Sequence, residues 1–181
     1  FGTTLIDSVV FTEQSGNMSY GRFEDSGENW RFFSDPSPGA PNTGGYLGEV
    51  DAPKFSHKRG FYDRAFNVTL ASETEDAVIY YTLDGDEPFS PGGRAPIGTV
   101  NQGPISVSRT SVLRAKSIKP GHMPSRIKTH TYIFVRDVKR QSSSGSAPGA
   151  GWPTGSVNSQ VINYGMDPDV VNDPRYAPLI E

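Results

Sequence analysis

A β-branched and aromatic run that stops at a Gly-centred acidic turn, VIYYTLDGDEP at residues 78–88, most constrains the fold of this chain. Side chains alternate along a strand, so every second residue from Ile79 shares one face. Asp84 and Gly85 signal a turn, because Gly tolerates positive φ and Asp can bond the backbone ahead, while Pro88 cannot donate to a β-ladder. The run predicts a strand with one face suited to a core.

Short alternating runs on both sides extend this pattern. Apolar and polar residues alternate at 66–70, 105–108 and 113–116, and each run is bounded by Gly, Pro or Ser. No window has the apolar spacing of an amphipathic helix, and 20 Gly and 15 Pro with 34% hydrophobic residues favour turns and short strands. The sequence therefore predicts an all-β chain.

The order VTLASETEDAVIYYTLDGDEP, GPISVSRTSVLRAKSIKPGHMPS and THTYIF resembles the chitobiase/β-hexosaminidase C-terminal-type domain over about residues 53–134. The resemblance implies a small immunoglobulin-like β-sandwich, which we place at 53–136, and an accessory rather than a catalytic role. Two connections stand out within it. The loop at 88–103 is long for a compact sandwich and is therefore functional or disordered, whereas the shorter turn at 119–125 fits sequential antiparallel strands.

The first segment contains DSVVF, SYGRFED, a Trp and DPSPGAPN in that order, and it resembles the C-terminal half of a lamin tail domain over about residues 5–42. SPGAPN is close to that family's usual PTPGAPN, with Ser37 where Thr is typical. The resemblance implies a partial second sandwich at 1–43 whose first strands precede the chain. A Gly-rich linker is expected at 44–52.

From about Asp137 the composition changes to QSSSGSAPGAGWPTG, which cannot bury enough apolar surface to offset its ordering entropy. We predict a flexible linker and the start of a following domain at 137–181. Residues 152–181 resemble the lead-in of a spore-coat-protein-H-like kinase domain. The chain begins without Met inside an apparent strand pattern, so we expect a fragment of a longer protein.

Candidate catalytic and metal-binding residues are few. The carboxylates Asp84, Asp86 and Glu87 have neither the alternate spacing of a calcium loop nor the separation across a cleft that glycoside hydrolysis needs. The histidines are scattered, Cys is absent, and no nucleophile elbow or phosphate-binding loop is present. We predict no catalytic residue, no metal site and no cofactor in this chain.

The charge layout supplies a candidate binding site. The net charge of −3 combines eight acids against two bases at 1–53 with nine bases against Asp137 alone at 109–140. If Leu113 and Ala115 point inward on one strand, and Ile127 and Thr129 on the next, the alternate residues point outward. These alternate residues are Arg114, Lys116, Arg126, Lys128 and His130.

Paired strands would then gather cations on one face. We predict that Arg114, Lys116, Arg126 and Lys128 bind an acidic polysaccharide. The alternatives are a solvated face that discourages edge pairing and docking of the acidic first segment. Nucleic acid is disfavoured because no aromatic platform interleaves the cations. Tyr80, Tyr132 and Trp30 either stack on sugar rings or pack within the fold.

These features predict a non-catalytic accessory or spacer region of a large bacterial secreted or cell-surface protein, with weak carbohydrate binding. The expected partners are neighbouring domains of the same polypeptide, and no membrane segment is expected. An alternative is a fragment of an enzyme whose kinase-like or glycoside-hydrolase domain lies outside this chain. An intracellular scaffold is a third reading. We also expect residues 53–134 to fold cooperatively when isolated and residues 1–42 not to do so.

Overall fold

The computed structural model describes residues 4–5, 7–10, 16–24, 28–91, 95–147 and 154–179. The chain divides into two compact units. The first comprises Phe1–Glu49 and Pro120–Met123, and the second comprises Val50–Lys119 and Pro124–Glu181. The tip of the turn predicted at 119–125 therefore belongs to the first unit.

A two-stranded antiparallel hairpin forms the centre of the first unit. It pairs β1 (Ser19–Arg22) with β2 (Trp30–Phe33). Beyond β2, Tyr46 exchanges backbone hydrogen bonds with Phe32, at 2.9 and 2.7 Å. Part of the segment predicted as a Gly-rich linker at 44–52 is thus bonded to β2. Phe33 is buried beneath this pairing.

The SPGAPN segment at 37–42 is tied to β1 through one asparagine. The side-chain amide of Asn42 donates to the Arg22 carbonyl at 2.9 Å, and Asn42 Oδ1 accepts from the Ser37 hydroxyl at 2.8 Å. Gly45 follows with a φ of +82°, and a Cβ there would lie 2.6 Å from a ring carbon of Phe33. The segment therefore returns the chain to the hairpin and requires Gly at this close approach.

The second unit is built from short strands numbered on in chain order. They are β3 (Lys54–Phe55), β4 (Gly60–Tyr62), β5 (Phe66–Val68), β6 (Leu70–Ala71), β7 (Val78–Thr82), β8 (Thr99–Val100), β9 (Ile105–Val107), β10 (Ser111–Ile118) and β11 (Lys128–Phe134). A five-stranded sheet has the order β4-β11-β10-β7-β8, in which β4 runs parallel to β11 and the other pairs are antiparallel. The remaining strands pair as β3 with β6 and β5 with β9.

The core lies between these two sets of strands. Its buried members are Val68, Leu70, Ile79, Ile105, Val107, Leu113, Ala115, Tyr132 and Phe134, and half-buried aromatic rings of β3, β4, β5 and β7 pack against them. The five-stranded sheet forms one layer, and the pairs β3-β6 and β5-β9 form the other. Each layer turns one face towards the shared apolar interior, as in aligned sheet-on-sheet packing. The predicted immunoglobulin-like all-β sandwich is confirmed.

Helical elements are confined to the part of the described chain that follows β11. They are α1 (Val135–Lys139), α2 (Pro168–Val171) and a 3-10 turn at Ala177–Leu179, and a small hairpin of β12 (Ser156–Val157) and β13 (Gln160–Val161) lies between the two helices. The predicted end of the sandwich at residue 136 falls inside α1. No helix in the described ranges is long and apolar enough to cross a membrane. The resemblance of 152–181 to a kinase lead-in stays a prediction, and residues 152–153 and 180–181 lie outside the described ranges.

Candidate functional site

The outward-facing positions of β10 are those that its alternation predicts. Leu113 and Ala115 are buried in the core, and every second residue of the strand is buried with them. Arg114 and Lys116 consequently point away from the core, on the outer face of the five-stranded sheet.

The register of β11 separates the predicted cations. Ala115 lies opposite Lys128, and Arg114 lies opposite Thr129. Residues directly opposite one another share a sheet face, so Lys128 is on the core side of the sheet and Thr129 on the outer side. The prediction that Thr129 points inward is wrong, because Tyr132 and Phe134 fill the core from this strand and fix its alternation. Ile127 precedes β11 and is half-buried, and its inward position stays a prediction.

Arg126 precedes the first residue of β11 and is exposed. The four cations Arg114, Lys116, Arg126 and Lys128 therefore do not form one face. Their binding to an acidic polysaccharide stays a prediction, but its geometric basis is lost.

Arg114 is engaged by the acidic turn that ends β7. Its guanidinium donates to the Gly85 carbonyl at 3.0 Å and to a Glu87 carboxylate oxygen at 3.1 Å. Within the turn, the Asp86 N–H donates to Asp84 Oδ1 at 3.0 Å, and Gly85 has a φ of +90°. The turn is therefore an Asx-type turn capped by an arginine, as its sequence predicts for Asp-Gly.

Lys116 lies over an aromatic ring supplied by the long loop. Its Nζ is 5.0 Å from the ring centroid of Phe89, which is buried and makes an edge-on contact with Tyr80 at 5.5 Å. The Gly98 N–H donates to the Pro88 carbonyl at 3.0 Å, and this bond brings the later part of the loop back beside its start. The described part of this loop thus covers one end of the outer sheet face, and Lys116 contributes a cation–π contact to that cover.

The aromatic residues considered for sugar stacking have structural contacts. Tyr132 is fully buried, and its hydroxyl donates to the His57 carbonyl at 3.1 Å. Burial raises the pKa of Tyr132 to about 12. Trp30 stacks on Tyr20 with ring centroids 5.2 Å apart. Packing within the fold accounts for these rings, and Tyr80 packs on Phe89 as described.

His57 and His130 pack against aromatic rings at the edge of the core. His130 stacks on Phe55 at 4.2 Å, and His57 stacks on Phe66 at 4.6 Å. Burial is the main cause of a pKa of His130 below its usual range, with the charges of Lys128 and Arg59 acting in the same direction. Within the described ranges, no group of three His, Asp or Glu side chains is placed to hold a metal ion.

A cleft of about 880 Å³ lies beside the start of β10, within the second unit. It is lined by Leu83, Asp84, Ser106, Ser108, Arg109, Thr110, Ser111, Asp137, Arg140, Gln141, Ser142, Ser146 and Ala147. Six of these residues are Ser or Thr, and two are Arg. This cleft replaces the predicted strand face as the candidate binding site.

One threonine aligns the two walls of the cleft. The Thr110 hydroxyl accepts from the Phe134 N–H at 2.9 Å, and the Thr110 N–H donates to Asp137 Oδ2 at 3.1 Å. These bonds hold the turn between β9 and β10 against the end of β11 and the beginning of α1. Arg109 lies in that turn, and Arg140 is the residue that caps the C-terminus of α1.

The charged groups of the cleft differ in their partners. Asp137 accepts from Thr110 and lies 3.8 Å from the Arg136 guanidinium, and Asp84 accepts from Asp86. Within the described ranges, Arg109 and Arg140 form neither a hydrogen bond nor an ion pair through their side chains. Each acid thus has a partner at one carboxylate oxygen at least, whereas the two guanidinium groups have none among the described residues.

The sequence predicts the site at strand positions within the base-rich stretch 109–140. Arg109 and Arg140 are the two ends of that stretch, and neither lies in a strand. The composition of the Ser-rich run at 142–146 indicates a linker and does not indicate a binding site. A turn followed in space by a short helix brings these residues together, and no local spacing encodes that proximity.

The second unit thus belongs to the immunoglobulin-like β-sandwiches, a class in which loops and surfaces carry the function. Residues 57–129 match the family model of the chitobiase/beta-hexosaminidase C-terminal domain, which confirms the resemblance over that range. Domains of this family are non-catalytic and typical of glycoside hydrolases.

A search of curated proteins adds one relative. Over 78 residues the chain is 40% identical to a protein named endoglucanase from Clostridium saccharobutylicum. The aligned part is 42% of this chain and 17% of that protein, so the chain spans only a small share of the relative. No solved structure matches the chain significantly.

Proposed function

We propose that this chain is a non-catalytic accessory and spacer region of a larger bacterial secreted or cell-surface protein that acts on carbohydrate. The observation that carries the proposal is the family match at 57–129. The named endoglucanase supports it, because the shared segment is a small part of a much longer protein.

An accessory module of this kind acts by keeping the polysaccharide close to a catalytic domain of the same polypeptide. A module that holds polysaccharide weakly raises the effective concentration of substrate near a tethered catalytic domain, without chemistry of its own. The compact sandwich core suits such a spacer, because it is held together without disulfides and presents loops at its ends.

The proposal is tested with the chain as it stands. We expect no release of reducing sugar from soluble cellulose or chitin oligosaccharides above a heat-denatured control. We also expect weak co-sedimentation with an insoluble polysaccharide and greater hydrolysis of that polysaccharide by an endoglucanase catalytic domain fused to the chain. Turnover by the chain alone, or a fusion that gains nothing on insoluble substrate, would contradict the proposal.

A second candidate concerns the whole protein. The low coverage of the endoglucanase relative also suits a fragment of an enzyme whose glycoside-hydrolase or kinase-like domain lies elsewhere in the polypeptide. Reading the gene on both sides of this segment distinguishes a catalytic neighbour from further spacer modules. The same reading tests the lamin-tail resemblance at 5–42, and an upstream signal peptide would exclude an intracellular scaffold.

A further inference from the structure

We propose that the cleft beside Thr110 binds the carboxylate of an acidic sugar through Arg109 and Arg140. This inference rests on the proposed carbohydrate-contact role and names its ligand class and its site. It replaces the predicted strand cations with two arginines that the fold brings to one cleft.

The cleft contains two guanidinium groups that can donate hydrogen bonds to a ligand. A guanidinium presents a planar fork that matches a carboxylate with two parallel hydrogen bonds. Arg109 and Arg140 both line the cleft, and within the described ranges neither side chain is bonded to an acid of the chain. Arg114, in contrast, already donates through its two terminal nitrogens to Gly85 and Glu87.

Serine side chains of the cleft match a ligand that carries many hydroxyl groups. Ser142, Ser144 and Ser146 form a chain of hydroxyl contacts at 3.0 and 2.8 Å. The outer two members of this chain line the cleft, together with Ser108 on the opposite wall. Hydroxyl groups both donate and accept, so this lining suits sugar hydroxyl groups.

Two carboxylates in the cleft limit the negative charge that a ligand can carry. Asp84 and Asp137 also line the cleft, and they would repel a ligand that places phosphate groups along both walls. Their free lone pairs can accept from sugar hydroxyl groups. One carboxylate surrounded by hydroxyl groups, as in a uronic acid residue, fits this arrangement better than a nucleic acid does. No aromatic ring is among the described residues that line the cleft, so stacking of a neutral sugar is not its basis.

The experiment titrates the chain with a short oligogalacturonate and with a neutral cello-oligosaccharide of equal length, by calorimetry, at low and at physiological ionic strength. The test variant is Arg109→Ser with Arg140→Ser. The matched control is Arg126→Ser with Lys128→Ser, which removes the same charge from exposed positions outside the cleft. Circular dichroism establishes that each variant keeps its fold.

We expect oligogalacturonate affinity to fall at least about tenfold in the test variant, because charge-assisted bonds are lost, and by less than about twofold in the control. Arg109→Lys should give intermediate affinity, since it keeps the charge and loses the fork. Equal losses in both double variants, or a loss only in the control, would overturn the cleft as the site.

The neutral ligand separates this inference from the accessory role. Binding of the cello-oligosaccharide without binding of oligogalacturonate would overturn the acidic-sugar cleft and leave the accessory role intact. The absence of binding to either ligand, combined with a fusion that gains nothing on insoluble substrate, would overturn both.

Discussion

The backbone N–H of Phe134 donates to the hydroxyl of Thr110 at 2.9 Å. Phe134 is the last residue of β11 and is fully buried, whereas Thr110 lies in the turn that precedes β10. Thr110 also donates its own N–H to Asp137 in α1. A single side chain and its backbone therefore join two strands and a helix at the candidate cleft.

Replacement of Thr110 by Val should destabilise the second unit by about 1–2 kcal/mol, because Val keeps the shape and leaves the Phe134 N–H without its acceptor. Urea unfolding measures the change. Thr129→Val is the matched control, since Thr129 is exposed on the outer face of β11. Equal free energies of unfolding for the two variants would show that the Thr110 bond contributes nothing.

The buried side chain of Ser125 allows a second test of how one hydrogen bond contributes to stability. Its hydroxyl accepts from the Ser117 N–H at 2.9 Å, and its N–H donates to the Ser117 carbonyl at 3.0 Å. Ser125→Ala should cost about 1–3 kcal/mol, because a buried donor is left unsatisfied. Thermal unfolding measures this loss, with exposed Ser106→Ala as the control. A melting temperature unchanged from that of the control would contradict the prediction.

Asn42 should control the local stability of the first unit. Asn42→Ala removes the donor to the Arg22 carbonyl and the acceptor for Ser37, so the β1–β2 hairpin should open more readily. Amide hydrogen exchange should accelerate at Phe32 and Tyr46 and stay unchanged in β10. Acceleration of the same size in both units would assign the effect to global unfolding instead.

The two units should also differ in protection before any substitution. The hairpin of the first unit is two-stranded, whereas β10 is paired on both sides and buries every second residue. We expect amides of β10 to exchange more slowly than those of β1 and β2. Equal protection would contradict this expectation and the related prediction that 53–134 folds alone while 1–42 does not.

Tyr132 predicts a loss of stability at high pH. Its folded pKa of about 12 lies above its usual value of 10.0, so the folded state retains the proton more strongly than the unfolded state does. This contribution is complete below pH 10.0 and is lost as the pH rises towards about 12. In urea unfolding between these values, Tyr132→Phe should lose less stability than the parent chain. Parallel pH profiles for the two proteins would rule out the buried hydroxyl as the cause.

The sequence was sufficient where a local pattern decides the structure. The alternation of β10 identified Leu113 and Ala115 as inward residues, and Asp84-Gly85 identified the turn after β7. The same alternation did not fix β11. Thr129 was expected inward, but the larger rings of Tyr132 and Phe134 occupy the core and place Thr129 on the outer face.

What the sequence by itself determined about this protein is its fold class, its short strands and its resemblance to a family, because alternation and turn chemistry act between near neighbours in the chain. What only the tertiary structure decided is which charges are occupied and which are available. Glu87, in the turn that follows β7, pairs with Arg114 of the neighbouring β10, and Thr110 bonds to α1, the helix whose C-cap is Arg140. These relationships depend on strand register and on bonds between distant segments, which are set by packing of the whole core.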